Sequence, residues 1–405
     1  MPAGRSTGRT ISKRSTNLHP KHAAKHGTAG RISENRKLEF DAIRGFDRHS
    51  LKLGLFGLNC SGGLSATLAP ERWEGTWAQN LSAARMADEA GLDFLLPLGR
   101  WRGYGGETDH NGESLETLTW AAGVLAATEN IMAFGTVHVP LFNPIVAAKQ
   151  MVTADQIGAG RFGLNIVCGW NEDEFNMAGV ELNAHDARYE QGQEWVDIVT
   201  RAWTSEEAFD YSGDHYSVAG VMMKPKPASK TRPMIVSAGS SDRGRAFAAR
   251  NSDMMFTGIR TDLEDINDDI TSLKALARNY GRDIGMFTNC YIVCRPTHRE
   301  AEEYHHYYAL EMADQGAVEN LVARRNRRGK FDELPEAMRR NLRQRAAGGN
   351  GAFPIVGDPD YVAGLLIQLH EAGIDAFAMG FANYTEHLPY FRDEVLPRLS
   401  DAGVR

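Results

Sequence analysis

GRFGLNIVCGWNEDEFNMAGVELNAHDARY, residues Gly160–Tyr189, is the stretch that decides the fold. Gly160 is a helix stop, Phe162 to Val167 form a short apolar run of strand length, and Cys168-Gly169-Trp170 breaks into a polar, aromatic loop. A strand that ends in Asn- and Glu-rich chemistry and feeds a helix is how an α/β barrel presents an active-site loop at the carboxyl end of a strand. Arg188 and Tyr189 fall at the head of the following helix, where a cation and a hydroxyl can join free backbone N–H groups to hold an anion such as phosphate.

Working outward, strand-like and helix-like runs alternate along the chain. Strands are expected at Leu51–Leu58, Leu92–Leu98, Ile131–Val137, Phe162–Val167, Met234–Ser237, Met254–Thr257, Met286–Val293 and Ala376–Met379. Between them lie amphipathic helices at Trp77–Ala90, Leu115–Thr128, Ile145–Ile157, Gln191–Trp203, from Asp242, Asp262–Tyr280, Pro359–Ala372 and from Glu386. Eight such alternations predict a (β/α)8 TIM barrel rather than an open sheet. Two insertions decorate it: a small hairpin at Ala208–Val218 and a helix-rich segment from Arg299 to Asn350, whose basic part, Arg324–Arg345, reads as a lid or a solvated arm. No internal repeat is visible.

Composition limits the function classes. Hydrophobic content of 42% and charged content of 24% fit a globular domain. No apolar run approaches the roughly 18 residues needed to cross a bilayer, so no membrane span is expected. The net charge of −7 divides into +8 for residues 1–37 and hence −15 for the rest. The acidic bulk argues against nucleic acid as the partner. Residues 1–45 form a basic tail expected to be disordered, with the barrel occupying 46–405, and the tail lacks a signal-peptide core, which predicts a cytoplasmic protein. The four cysteines, Cys60, Cys168, Cys290 and Cys294, lack paired metal spacing and suit a reducing compartment.

A barrel places its chemistry where strands end. The second strand ends in Gly99-Arg100-Trp101-Arg102-Gly103-Tyr104, where glycine admits close approach of a flat ligand and Trp101 or Tyr104 can stack on it. The third ends at Thr136-Val137-His138, and His138 is a general-base candidate with a structural histidine as the alternative. Asn165, near the end of the fourth, can donate and accept at once. The fifth runs into Ser237-Ala238-Gly239-Ser240-Ser241-Asp242, a small-residue turn whose N–H groups and Ser241 make an anion cradle shared with Arg188, with Asp242 as the competing helix cap. Glu302, Glu303, His305 and His306 have partial metal spacing without a second cluster, so no metal is expected. There is no nucleophile elbow, P-loop or dinucleotide fingerprint. A site rich in flat-ligand features but lacking nucleophile and metal implies a cofactor that carries the chemistry.

GRFGLNIVCGW, the RGYGG loop with ESLET at Glu113–Thr117, RYE at 188–190 and AGSSD at 238–242 together resemble the bacterial luciferase-like flavin monooxygenases, and within them the FMN-dependent pyrimidine monooxygenase branch. That resemblance implies FMN, received as FMNH2 from a separate flavin reductase, and O2 used to oxidise a small N- or S-containing substrate with ring, C–N or C–S cleavage. It places Gly99 and Arg100 along the flavin, Asn165 and Glu174 around its ring or the substrate edge, Arg188 and Tyr189 at the phosphate, and Ser241 closing the phosphate loop. Asn165, with Thr136 and His138 beside it, is the expected contact of the oxygen-derived oxidant. A homo-oligomer is also expected. Two other readings stay open at this point: hydride transfer with the deazaflavin F420, and a non-catalytic flavin-binding barrel.

Overall fold

In chain order the strands are β1 (Lys52–Phe56), β2 (Phe94–Leu96), β3 (Met132–His138), β4 (Phe162–Val167), β5 (Phe209–Ser212), β6 (Ser217–Val221), β7 (Met234–Ser237), β8 (Met254–Phe256), β9 (Gly285–Cys294), β10 (Phe353–Gly357) and β11 (Ala376–Gly380). The computed structural model describes residues 46, 48–229, 231–239, 241–259, 263–325, 331 and 333–405. The expected tail at 1–45 lies outside the described residues. Strands β1, β2, β3, β4, β7, β8, β9 and β11 pair in parallel in that order, and β11 returns to β1 through Lys52↔Ala376. This is a closed eight-stranded TIM barrel. The helices between and after the strands are α1 (Trp77–Glu89), α2 (Thr117–Ala126), α3 (Pro144–Ile157), α4 (Glu172–Met177), α5 (His185–Thr204), α6 (Asp242–Asn251), α7 (Leu263–Arg278), α8 (His298–His306), α9 (Gln315–Arg325), α10 (Glu336–Gly349), α11 (Pro359–Glu371) and α12 (Tyr384–Asp401).

The barrel interior follows from side-chain alternation along each strand. Phe94, Leu96, Met132, Phe134, Met234, Val236, Met254 and Phe287 face inward and pack into one cluster with Phe46, whose ring lies 6.2 Å from Phe94. Residues of opposite parity, such as Leu95, Ala133, Leu164, Ile166 and Ile235, join the helices outside. The hairpin β5–β6 forms a separate two-stranded sheet, as expected.

Three departures from the sequence reading have local causes. Helix α5 begins six residues before the expected Gln191, because its N-cap is Ala184, which has no side-chain acceptor to announce a helix start. Arg188 and Tyr189 therefore lie inside the helix, one turn in. The loop after β4 contains a short helix, α4, that no expectation included. Strand β10 was hidden by Pro354 and Gly357; it pairs with Cys290–Cys294, the part of β9 that extends past β8 while its first residues still pair with β11 on the other side.

A repeat does exist, but in hydrogen bonding rather than in sequence. Asp93, Asp253 and Asp375 each precede a strand, and each exchanges two bonds with the neighbouring strand. Backbone N–H groups donate to Leu53, Ile235 and Met286 carbonyls, and the carboxylates accept from the N–H of those same residues at 2.7–2.8 Å. Each carboxylate also meets a cation: Arg405 for Asp93, Arg232 and Arg282 for Asp253, and Lys274 for Asp375. These clamps lock the end of the barrel opposite the strand carboxyl termini, leaving the other end for chemistry.

Candidate active site

At the carboxyl end of the barrel, the inward-facing side chains of Phe56 (β1), Asn165 (β4), Phe256 (β8) and Asn289 (β9) are half-buried, while the Phe and Met layer beneath them is buried. Two aromatic rings and two amides therefore top the barrel interior at this end. Its wall on the β2–β3 side is Gly99, Thr136 and His138. A Cβ on Gly99 would lie 2.8 Å from Thr136 Cγ2 and 2.9 Å from His138 Cε1, so glycine is required for these three to meet.

The Asn165 amide has a defined orientation. Thr136 Oγ1 donates to the Pro97 carbonyl at 2.7 Å, which commits its proton and leaves a lone pair to accept from Asn165 Nδ2 at 3.1 Å. Asn165 Oδ1 then remains buried with no partner among the described residues, as does His138 Nδ1. Burial pushes the His138 imidazole down to about 4, with Glu174 opposing and Arg100 reinforcing the shift. Held that low, the ring is neutral at pH 7.

Glu174, on α4, is completely buried. Its Oε1 accepts from Arg100 Nη1 at 2.9 Å and from the backbone N–H groups of Trp101 and Arg102 at 3.0 and 3.3 Å. One carboxylate thus ties the loop after β2 to the loop after β4. Trp101 and Trp170 remain on the rim, 39% and 36% exposed. Tyr104 does not stand free to stack on a ligand: Arg100, Arg324 and His110 pack against its ring.

The third part of the site is the start of α6. Ser241, not Asp242, is the N-cap, and its Oγ accepts from Gly244 N–H at 3.1 Å. Burial raises the Tyr189 hydroxyl, and the neighbouring Ser241 side chain opposes that shift. A Cβ on Gly244 would stand 2.6 Å from Tyr189 Oη, so this glycine lets α5 touch the α6 terminus. Arg188 Nη1 donates to the Gly169 carbonyl at 2.6 Å, and its Nε is buried without a partner among the described residues. Cation, phenol, hydroxyl and helix N-terminus converge here as anion-binding chemistry.

Of the residues singled out from sequence, Gly99, Arg100, Thr136, His138, Asn165 and Ser241 fall on strand ends or the turns after them, Glu174 on α4 and Arg188 and Tyr189 in the first turns of α5, whereas Glu302, Glu303, His305 and His306 lie apart on α8. Phe56, Phe256 and Asn289 were not singled out, because half-burial at the top of a strand is a tertiary property. His110, in a tight turn, was missed too, and Arg324 was noted only as the start of the basic stretch read as a lid or a solvated arm. Among the described residues no group of three or more His, Cys, Asp or Glu side chains could hold a metal. His305 instead pairs with the Tyr291 hydroxyl.

Residues 52–376 match the luciferase-like monooxygenase family. The chain belongs to that family. It is 30% identical to an FMNH2-dependent dimethylsulfone monooxygenase of Pseudomonas fluorescens, over 88% of this chain and 97% of that one. Identity to the pyrimidine monooxygenase RutA of Acinetobacter baylyi is 28%, over 86% of this chain and 95% of the other. The structure of DmoA from Hyphomicrobium sulfonivorans superposes with a TM-score of 0.77 at 21% identity, over 87% and 88% of the two chains, and so shares the fold. This luciferase-like monooxygenase has no helix among its described residues long and apolar enough to cross a membrane.

Proposed function

We propose that this luciferase-like monooxygenase is an FMNH2-dependent enzyme that uses O2 to oxidise a small N- or S-containing organic substrate. A separate flavin reductase delivers the reduced flavin. Two groups at the carboxyl end of the barrel support this reading: Phe56, Asn165, Phe256 and Asn289 at the top of its interior, and Arg188, Tyr189 and Ser241 about the α6 N-terminus. A planar ring system bearing a phosphate fits those two groups, and the buried, unpartnered Asn165 Oδ1, His138 Nδ1 and Arg188 Nε are the polar atoms such a ligand would satisfy. The dimethylsulfone and pyrimidine in the relatives' names support the substrate class.

Bound FMNH2 supplies the two electrons that activate O2. The protein's contribution is orientation and exclusion of water. Arg188, the Tyr189–Ser241 pair and the α6 N-terminus hold the phosphate end. Asn165, fixed by Thr136, presents Oδ1 as an acceptor at the reacting end. His138 offers a neutral ring nitrogen beside it. Glu174 holds the two rim loops in register over the mouth. Binding of FMN, followed by quenching of its fluorescence, tests the assignment. Arg188→Ala is expected to weaken FMN by about tenfold or more, since a charge-assisted hydrogen bond contributes about 1.5–3 kcal/mol. Unchanged affinity in that variant would remove Arg188 from the site.

A further inference from the structure

We propose that Tyr291, His305, Tyr308 and Tyr304 form an aromatic column that carries an oxidising equivalent from the top of the barrel to the surface, sparing the active site when O2 is reduced without substrate oxidation. This role rests on the monooxygenase reading, since reduced flavin and O2 are the source of the oxidant, an oxygen-centred radical. Tyr291 follows Asn289 by two positions on β9, so it shares the face of the strand that tops the barrel interior, about 6.6 Å further along. Helix α10 covers it there: a Cβ on Gly349 would lie 2.0 Å from Tyr291 Cδ1, so only glycine permits the contact.

From Tyr291 outward the rings follow one another closely. Centroids are 5.5 Å apart for Tyr291 and His305, 5.7 Å for His305 and Tyr308, and 5.3 Å for Tyr308 and Tyr304. Tyr291 and Tyr308 are each 1% exposed, whereas Tyr304 and its neighbour Tyr307, 6.1 Å away, are half-buried and reach water. The hydrogen bonds along the column differ in a way that packing does not require. Any acceptor satisfies a buried phenol, and Tyr308 donates to the Gly348 carbonyl at 3.1 Å. The two terminal phenols instead meet bases. Tyr291 Oη lies 2.9 Å from His305 Nε2, and Tyr304 Oη donates to Glu71 Oε1 at 2.9 Å. Burial holds His305 down to about 4, so its ring is neutral, and Nε2 can accept a proton in the Nδ1-protonated tautomer. A phenol gives up an electron readily only when its proton has somewhere to go, and the column has a proton acceptor at each end. Arg295, 4.0 Å from the Tyr304 ring centroid, opposes oxidation there, and the Glu71 carboxylate offsets that charge.

In the transfer, Tyr291 gives one electron to the radical and its O–H proton to His305 Nε2. The radical, with that electron and a proton from water, becomes a closed-shell hydroxyl compound. An electron from Tyr304 then crosses Tyr308 to the Tyr291 phenoxyl, which takes its proton back from His305, while Glu71 accepts the Tyr304 proton. A soluble thiol returns the electron to Tyr304 and releases its own proton to solvent, and Glu71 gives back the proton that restores the phenol. The oxidising equivalent thus leaves as a thiyl radical in solution, and the protein ends unchanged.

The test uses the full-length protein in two settings. In the first, 3-aminotyrosine, an easily oxidised phenol, stands in place of Tyr291, and the flavin-free protein meets photogenerated tris(bipyridine)ruthenium(III), a bulk oxidant that cannot touch a ring only 1% exposed. The aminotyrosyl radical, read by EPR and absorbance, is expected to form rapidly with Tyr304 and Tyr308 intact. Tyr304→Phe and Tyr308→Phe, which keep the rings and their packing, should each lose most of that rate. In the second, the natural chain turns over FMNH2 and O2 without substrate, and oxidised side chains are mapped by peptide mass spectrometry. Oxidation is expected at Tyr304 in the wild type, and added thiol should suppress it. Tyr304→Phe should bind FMN as tightly as the wild type, yet carry oxidation at Tyr291 and inactivate after less O2 is consumed, with no protection from thiol. An aminotyrosyl radical that fails to form, or forms at one rate in all three proteins, would overturn the proposal, as would identical oxidation maps and inactivation in wild type and Tyr304→Phe. Failure of the wild type to bind FMN would refute the monooxygenase reading instead, and the flavin-free ruthenium experiment would still decide the column.

Discussion

Replacing Asn165 by alanine separates a structural amide from a functional one. The structural cost is small. The variant loses the Nδ2 bond to Thr136, but Thr136 still donates to the Pro97 carbonyl, so no buried donor is stranded and the fold loses about 1 kcal/mol. The functional cost is larger, because Asn165 is half-buried at the top of the barrel interior and its Oδ1 is preorganised there by the Thr136 pin. Removal of one preorganised polar contact costs on the order of 10²–10³ in rate, or about 2.7–4 kcal/mol. With FMNH2, O2 and a turned-over substrate, Asn165→Ala is expected to bind flavin nearly normally and to consume O2, while releasing hydrogen peroxide in place of product. Thr136→Val keeps the amide but frees it to turn, so it should show the same uncoupling to a smaller extent. The assay reads product and peroxide per O2 consumed. Wild-type coupling in Asn165→Ala would refute the argument and make the amide a structural group.

Glu174→Ala strands a buried guanidinium and two loop N–H groups, and is expected to cost about 3–5 kcal/mol in chemical denaturation; the Arg100→Met/Glu174→Leu double variant should cost less than the single one, and the opposite order would contradict the buried-pair assignment. Burial pushes His110 down to about 3 and His138 down to about 4, so the folded protein binds fewer protons than the unfolded chain below the ordinary histidine range. Stability should therefore be at its full value above about pH 6.5 and fall as pH drops toward 4; a melting temperature that does not fall across that window would show that these rings are not held neutral. Arg405→Ala leaves Asp93 with His49 and the Leu53 N–H but removes a cation from a pair whose side chains are 4% and 1% exposed. It should destabilise the barrel by about 3 kcal/mol, read from denaturant midpoints, and a loss below about 0.5 kcal/mol would place it among ordinary surface pairs.

The sequence by itself determined the barrel. The eight strands expected from apolar runs are the eight that close it, because a strand covered by helices on one side and filled on the other must be apolar throughout, and that leaves a local mark. Glycine and small-residue turns marked the strand ends, so Gly99, Arg100, Thr136, His138, Asn165 and Ser241 were legible as loop or strand-end chemistry. Only the tertiary structure decided what those groups do to one another. The resemblance puts Glu174 around the flavin ring or the substrate edge, whereas its burial against Arg100, 74 residues away, makes it the tie between two rim loops. Asp242 looks like the cap of α6, but the path of the backbone gives that place to Ser241, because a cap is defined by where the helix dihedrals begin. Arg324 opens the basic stretch read as a lid or a solvated arm, and its contact with Tyr104, 220 residues earlier in the chain, exists only in the folded protein. Periodicity is written residue by residue, whereas burial, hydrogen-bond partners and the pairing of charges depend on which distant segments the barrel brings together.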